Sequence, residues 1–128
     1  MAARIVRLGS KRLQGEGLRI GTVRRPPRGV PKEKFASENW YDVWLPMLAP
    51  SEATVKVGQN AETEAQWKAF AKRYAREMAA AEPGRVLDLL AALSHTADFS
   101  VGCYCADETR CHRSVLRRLL RDRGARIA

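Results

Sequence analysis

The run from Phe99 to Leu120 restricts the fold more than any other part of the chain. Phe99-Ser100-Val101-Gly102-Cys103-Tyr104-Cys105 is short, apolar and rich in small residues, and it reads as a strand. Ala106 to Arg110 is a polar turn. From Cys111 onward, Val115, Leu116, Leu119 and Leu120 recur at helical spacing, which predicts an amphipathic helix closed by Gly124. A strand that passes through one turn into a helix is the repeating unit of α/β layers.

The remainder agrees with that unit. Residues 3–8 alternate apolar and charged side chains and predict a strand; Leu18 to Val23 predicts another. The second candidate runs into Arg24-Arg25-Pro26-Pro27-Arg28-Gly29-Val30-Pro31, where the prolines forbid both helix and strand interior. A stiff basic loop therefore leaves a strand end, the usual place for ligands in open α/β sheets. The aromatic segment Glu38 to Leu45 is expected to pack over this loop, and Ser51 is placed to cap a short helix. Trp67, Phe70, Tyr74 and Met78 form one apolar helical face, read as core, which Pro83-Gly84 ends. Val86, Leu87, Leu89, Leu90 and Leu93 build a further helix, with His95 as its C-terminal cap. Ala125 to Ala128 returns as an edge strand. With right-handed crossovers, the fold expected over residues 1–128 is a single compact α/β domain: a small, mostly parallel sheet flanked by helices.

At 128 residues the chain is long enough to bury one core without disulfides or metals. No apolar run reaches the roughly 20 residues that span a bilayer, and the N-terminus lacks a signal-peptide apolar stretch. Three cysteines, an odd number, suit a reducing compartment, so a cytoplasmic location is expected. The net charge of +9 is uneven: Lys and Arg crowd residues 4–34 and 110–126, while the acids lie mainly between. Basic ends of this kind attract phosphorylated small molecules or nucleic acid, although charge alone carries no specificity.

Chemistry concentrates in Cys103 to Ser114. The first turn of a helix offers unpaired N–H groups and partial positive charge, so anions bind there. Arg113 and Ser114 add side-chain donors. A cysteine at the same place, beside His112 and two arginines, has a lowered pKa. Cys111 is therefore the candidate nucleophile and His112 the candidate acid or base. Arg24, Arg25 and Arg28 from the proline loop, with Arg113 and Ser114, are the candidate ligand-binding residues. Arg28 and Arg113 are expected to converge on one cleft. Cys103 and Cys105, two apart on a strand, share a face and read as buried small side chains. Cys-x-Cys-x5-Cys-His is not a usual zinc spacing, so no metal and no cofactor is expected.

Cys103, Cys111-His112-Arg113-Ser114, set between an apolar strand and an amphipathic helix, resemble the hallmark of the domain of unknown function 488 family. Arg24, Pro27-Arg28-Gly29-Val30 and Lys32, then Trp44 with Leu48-Ala49-Pro50-Ser51 and the helix Gln66 to Tyr74, resemble its YeaO-like branch. The resemblance covers nearly the whole chain. It implies a small prokaryotic α/β protein without an established activity.

Three functions fit these residues. The first is a protein that binds an anionic, phosphorylated or nucleotide-like ligand at the strand-end cleft. The second is a nucleic-acid-binding module that uses both basic ends. The third is a metal- or redox-active protein centred on the cysteines.

Overall fold

The computed structural model describes residues 1–128. Strands β1 (Ala3–Arg7), β2 (Leu18–Gly21), β3 (Val43–Trp44) and β4 (Phe99–Cys103) form one sheet in the order β1-β4-β2-β3, every pair parallel. The helices are α1 (Glu52–Gln59), α2 (Glu64–Met78), α3 (Ala81–Leu93) and α4 (His112–Asp122). Parallel strands need long connections, and α1 to α3 make the one from β3, at the sheet edge, to β4. That path returns β4 between β1 and β2. The register pairs Arg7 with Cys103 and Gly21 with Gly102, so the cysteine strand ends at the centre of the sheet's carboxyl edge. No helix is long and apolar enough to cross a membrane.

Alternation along the strands divides the interior. Ala3, Ile20, Phe99 and Val101 enter one apolar core with Phe70, Tyr74 and Met78 of α2, Leu87 and Leu90 of α3, and Val115, Leu116 and Leu120 of α4. The apolar face read on α2 is thus core. Arg19 and Ser100, in the alternate positions, are fully buried with Glu16. Arg19 gives Nε and Nη2 to the Glu16 carboxylate at 2.7 and 3.0 Å, and Nη1 to the carbonyls of Ser10 and Asn39. Ser100 Oγ donates to Glu16 at 2.7 Å. This ion pair holds the loop after β1 and the segment before β3 against the sheet. In the sequence Arg19 is one of the basic residues that crowd positions 4–34; an alternating Arg on a strand looks the same from sequence whether its face meets water or protein.

Several boundaries differ from expectation. The strands end earlier, at Gly21 and Cys103. The break after α2 falls at Ala79 and Ala80, while Pro83 and Gly84 lie in the first turn of α3. Proline is tolerated there because an N–H in the first turn has no intrahelical acceptor. His95 does not cap α3; its Nε2 lies 2.7 Å from the Gly124 carbonyl, beyond α4. The C-terminal edge strand is reduced to one bridge, Ala3 with Ile127. Ser51 caps α1 as expected, accepting from the Thr54 N–H.

Candidate functional site

The candidate site is built where β2, β4 and α4 meet. Beyond Gly21 the chain stays pinned to β4: Thr22 gives both its N–H and its hydroxyl to the Gly102 carbonyl, each at 2.9 Å. Cys111 takes the N-cap position of α4 with extended backbone, and makes no capping bond with its side chain. Its sulfur instead lies inside, 3.8 Å from His112 Nδ1. The other ring nitrogen of His112, Nε2, lies 3.0 Å from the Thr22 carbonyl and 3.2 Å from its hydroxyl. A carbonyl only accepts, so Nε2 carries a proton, and Nδ1 faces the Cys111 sulfur. Tyr74 packs edge-on against the imidazole at 5.3 Å between ring centroids.

The three thiols are free. Cys103 and Cys105 sulfurs are 3.6 Å apart, and the ligand atoms of Cys103, Cys111 and His112 all lie within 4.8 Å of one another. The neighbouring thiols of Cys103 and then Cys105 pull the Cys111 pKa well below the thiol range; burial opposes this, and His112 adds to it. Cys103 is pushed the other way by its bonds toward Cys105 and Cys111, and by burial. Cys105 is raised as well: the bond with Cys103 lowers it, but Cys111 and burial outweigh that. These directions make Cys111 the thiol of the cluster that ionises first.

Two clefts open at this edge. The smaller, about 590 Å³, is lined by Arg24, Arg25, Lys56, Cys103, Cys105 and His112 among others. The larger, about 770 Å³, includes Arg7, Arg25, Arg28, Trp40 and Tyr104. Trp40 from the aromatic segment thus borders the same cleft as the proline loop. Arg25 and Tyr104 line both clefts, and the Tyr104 hydroxyl donates to the Arg25 carbonyl at 2.8 Å.

The structure separates some residues that the sequence had grouped. Arg24 and Arg25 share the smaller cleft with Cys103 and His112, while Arg28 lies in the larger one. Arg24 gives Nε to the Pro50 carbonyl at 3.1 Å. Arg113 lines neither cleft: it is 3% exposed, and its Nη2 holds the Cys105 carbonyl at 2.5 Å. Arg28 and Arg113 therefore do not converge on one cleft, because α4 turns Arg113 inward beneath the Cys105 turn. Ser114 Oγ bonds the Cys111 carbonyl of its own helical turn at 3.0 Å. Cys111 is itself 3% exposed and lines neither cleft. The unusual spacing does not keep the ligand atoms apart: the cap geometry places the Cys111 sulfur and His112 Nδ1 side by side.

Sequence reading missed Thr22, Tyr104 and Trp40. Thr22 carries no motif, and its partner His112 is 90 positions away. The aromatic residues beside the arginines were visible, but nothing local shows which rings border a cleft.

An all-parallel α/β layer with a thiol–imidazole cluster at its carboxyl edge is the class this geometry defines. A family model described as the active DUF488-N3 subclade, DUF488-N3a, matches residues 3–124, and the chain belongs to that DUF488 subclade. No curated protein and no solved structure matches the chain.

Proposed function

We propose that the protein is a thiol enzyme acting on an anionic, phosphorylated small molecule bound at the carboxyl edge of the sheet. The observation that carries this reading is the orientation of His112, which sets Nδ1 against the Cys111 sulfur beneath an arginine-lined cleft. Cys111 is the resting thiolate, and Arg24, Arg25 and Lys56 attract the substrate's charge. Substrate meets the cluster at Cys103, which lines the cleft, and the Cys111 thiolate beside it attacks the electrophilic centre. One S–X bond forms and the bond to the leaving group breaks. The leaving group takes the proton from His112 Nδ1, and Nδ1 then takes one from the water that cleaves the covalent intermediate and frees the thiolate.

The thiolate is tested by its ultraviolet absorbance as pH is lowered. The wild-type chain should keep one thiolate far into the acid range, and Cys111→Ser should lose it. An unchanged signal in Cys111→Ser sinks the reading.

One observation favours a second reading, a soft-metal centre: Cys103, Cys111 and His112 present three ligand atoms within 4.8 Å. About one zinc per purified chain by elemental analysis would replace the thiol enzyme with a metal site.

A further inference from the structure

We infer that the larger cleft is a nucleoside-phosphate subsite, so that the substrate reaching the thiols is a nucleotide. The inference rests on the thiol-enzyme reading only for what happens next door; the subsite stands on its own geometry.

Arg7 and Arg28 bring guanidiniums to this cleft, Arg25 brings a third, and no carboxylate lines it. Arg28 has no ion pair. Arg7 holds only the Tyr104 carbonyl, at 3.3 Å through Nε, which leaves its terminal nitrogens for another acceptor. Arg25 pairs with Glu52 at 2.8 Å, but both side chains are largely exposed, so this pair gives way to a phosphate at small cost. Guanidinium groups suit phosphate oxygens, which they engage two at a time.

Three arginines alone would accept any anion. The aromatic wall narrows the choice. Trp40 and Tyr104 meet edge to face at 5.9 Å between centroids, and both border the cleft. The indole is fixed in place. Gly9 has φ +90° and lies so close that a Cβ would sit 2.9 Å from the ring. Only glycine combines that backbone with that approach. A flat ring attached to phosphate is what this wall recognises. Because Arg25 and Tyr104 border both clefts, such a molecule lies across them, with its base at Trp40 and its reacting end at Cys103.

The experiment is calorimetric titration of the full chain with AMP, GMP, adenosine and inorganic phosphate, each separately, alongside the thiolate absorbance. At least one of AMP and GMP should bind at least about tenfold more tightly than either adenosine or phosphate. Arg28→Gln and Trp40→Leu should each weaken that binding by about tenfold or more. Trp40→Phe, which keeps a smaller ring, should fall between, and it guards against a Trp40→Leu chain that fails to fold. Equal affinity for phosphate and for both nucleotides overturns the inference, as does nucleotide binding that survives both Arg28→Gln and Trp40→Phe. Binding only to a single-stranded oligonucleotide, with steep salt dependence, overturns it in favour of a nucleic-acid surface. Nucleotide binding without an acid-stable thiolate leaves the subsite standing and removes the thiol chemistry. A thiolate without nucleotide binding does the reverse.

Discussion

The Nε2–H of His112 is held by the carbonyl of Thr22 at 3.0 Å, and this contact between the end of β2 and the start of α4 sets the chemistry of the site. A main-chain acceptor cannot be titrated away, so the imidazole keeps one orientation, with a proton on Nε2. The nitrogen facing Cys111 then accepts from a thiol or, once protonated, donates to a thiolate. The Cys103 sulfur lies within 4.8 Å of the same sulfur, with Cys105 next to it, and both thiols lower the Cys111 pKa. The low Cys111 pKa follows first from Cys103, next from Cys105, and less from His112.

That order is measurable. Cys103→Ala should move the thiolate midpoint upward more than His112→Asn does, since Cys103 is the largest stabiliser of the charge. The sign is fixed by the direction of the shift: the thiolate is present at neutral pH and disappears only as pH falls through the lowered value. A ultraviolet pH titration of the two variants reads it, and a larger shift in His112→Asn contradicts the order.

Glu16 and Arg19 provide a second, independent test. Burial raises the Glu16 pKa, but bonds from Arg19, Ser100 and the Leu13 N–H bring it down to about 2 from an ordinary 4.5. A lowered folded-state pKa stabilises above the unfolded value and is lost on acidification. Urea unfolding should therefore show stability falling as pH drops from about 4.5 to about 2. Glu16→Gln should lose that pH dependence and cost about 3–5 kcal/mol at neutral pH, because Arg19 is left buried without its counter-charge. A flat acid profile in the wild-type chain would mean that the pair is open to water.

Much of this architecture is legible in the chain because it depends on local pattern. The α2 stripe, the Ser51 cap, the strand starts at Ala3, Leu18 and Phe99, and the helix start after Cys111 each follow from residues within a few positions. The site is half legible for the same reason. Cys111 and His112 are adjacent, so their pairing could be read. What Thr22 does for His112, what Ser100 does for Glu16, and which of several arginines face a cleft depend on contacts across 80 to 90 residues. Arg113 shows the limit. The start of an amphipathic helix is a sound place for an anion-binding arginine, yet this one faces inward onto the Cys105 carbonyl.

The last test bears on the strand that delivers the thiols. Gly102 lies between the buried Val101 and Cys103 and accepts both bonds from Thr22 at its carbonyl. A Cβ there would stand 2.7 Å from Leu8 Cδ2 and 2.8 Å from the Val6 carbonyl. The leucine tip can rotate away, but the carbonyl belongs to β1, which is paired to β4 along five residues. Gly102→Ala must therefore spread β1 from β4 at the end that carries Cys103. The expected cost is about 1–3 kcal/mol in chemical unfolding. Because Thr22 hangs on the same peptide unit, His112 should loosen with it and the thiolate midpoint should rise. A variant as stable as wild type, with its thiolate unchanged, would show that the edge of the sheet absorbs a methyl group and that the Thr22–His112 contact does not depend on tight β1–β4 pairing.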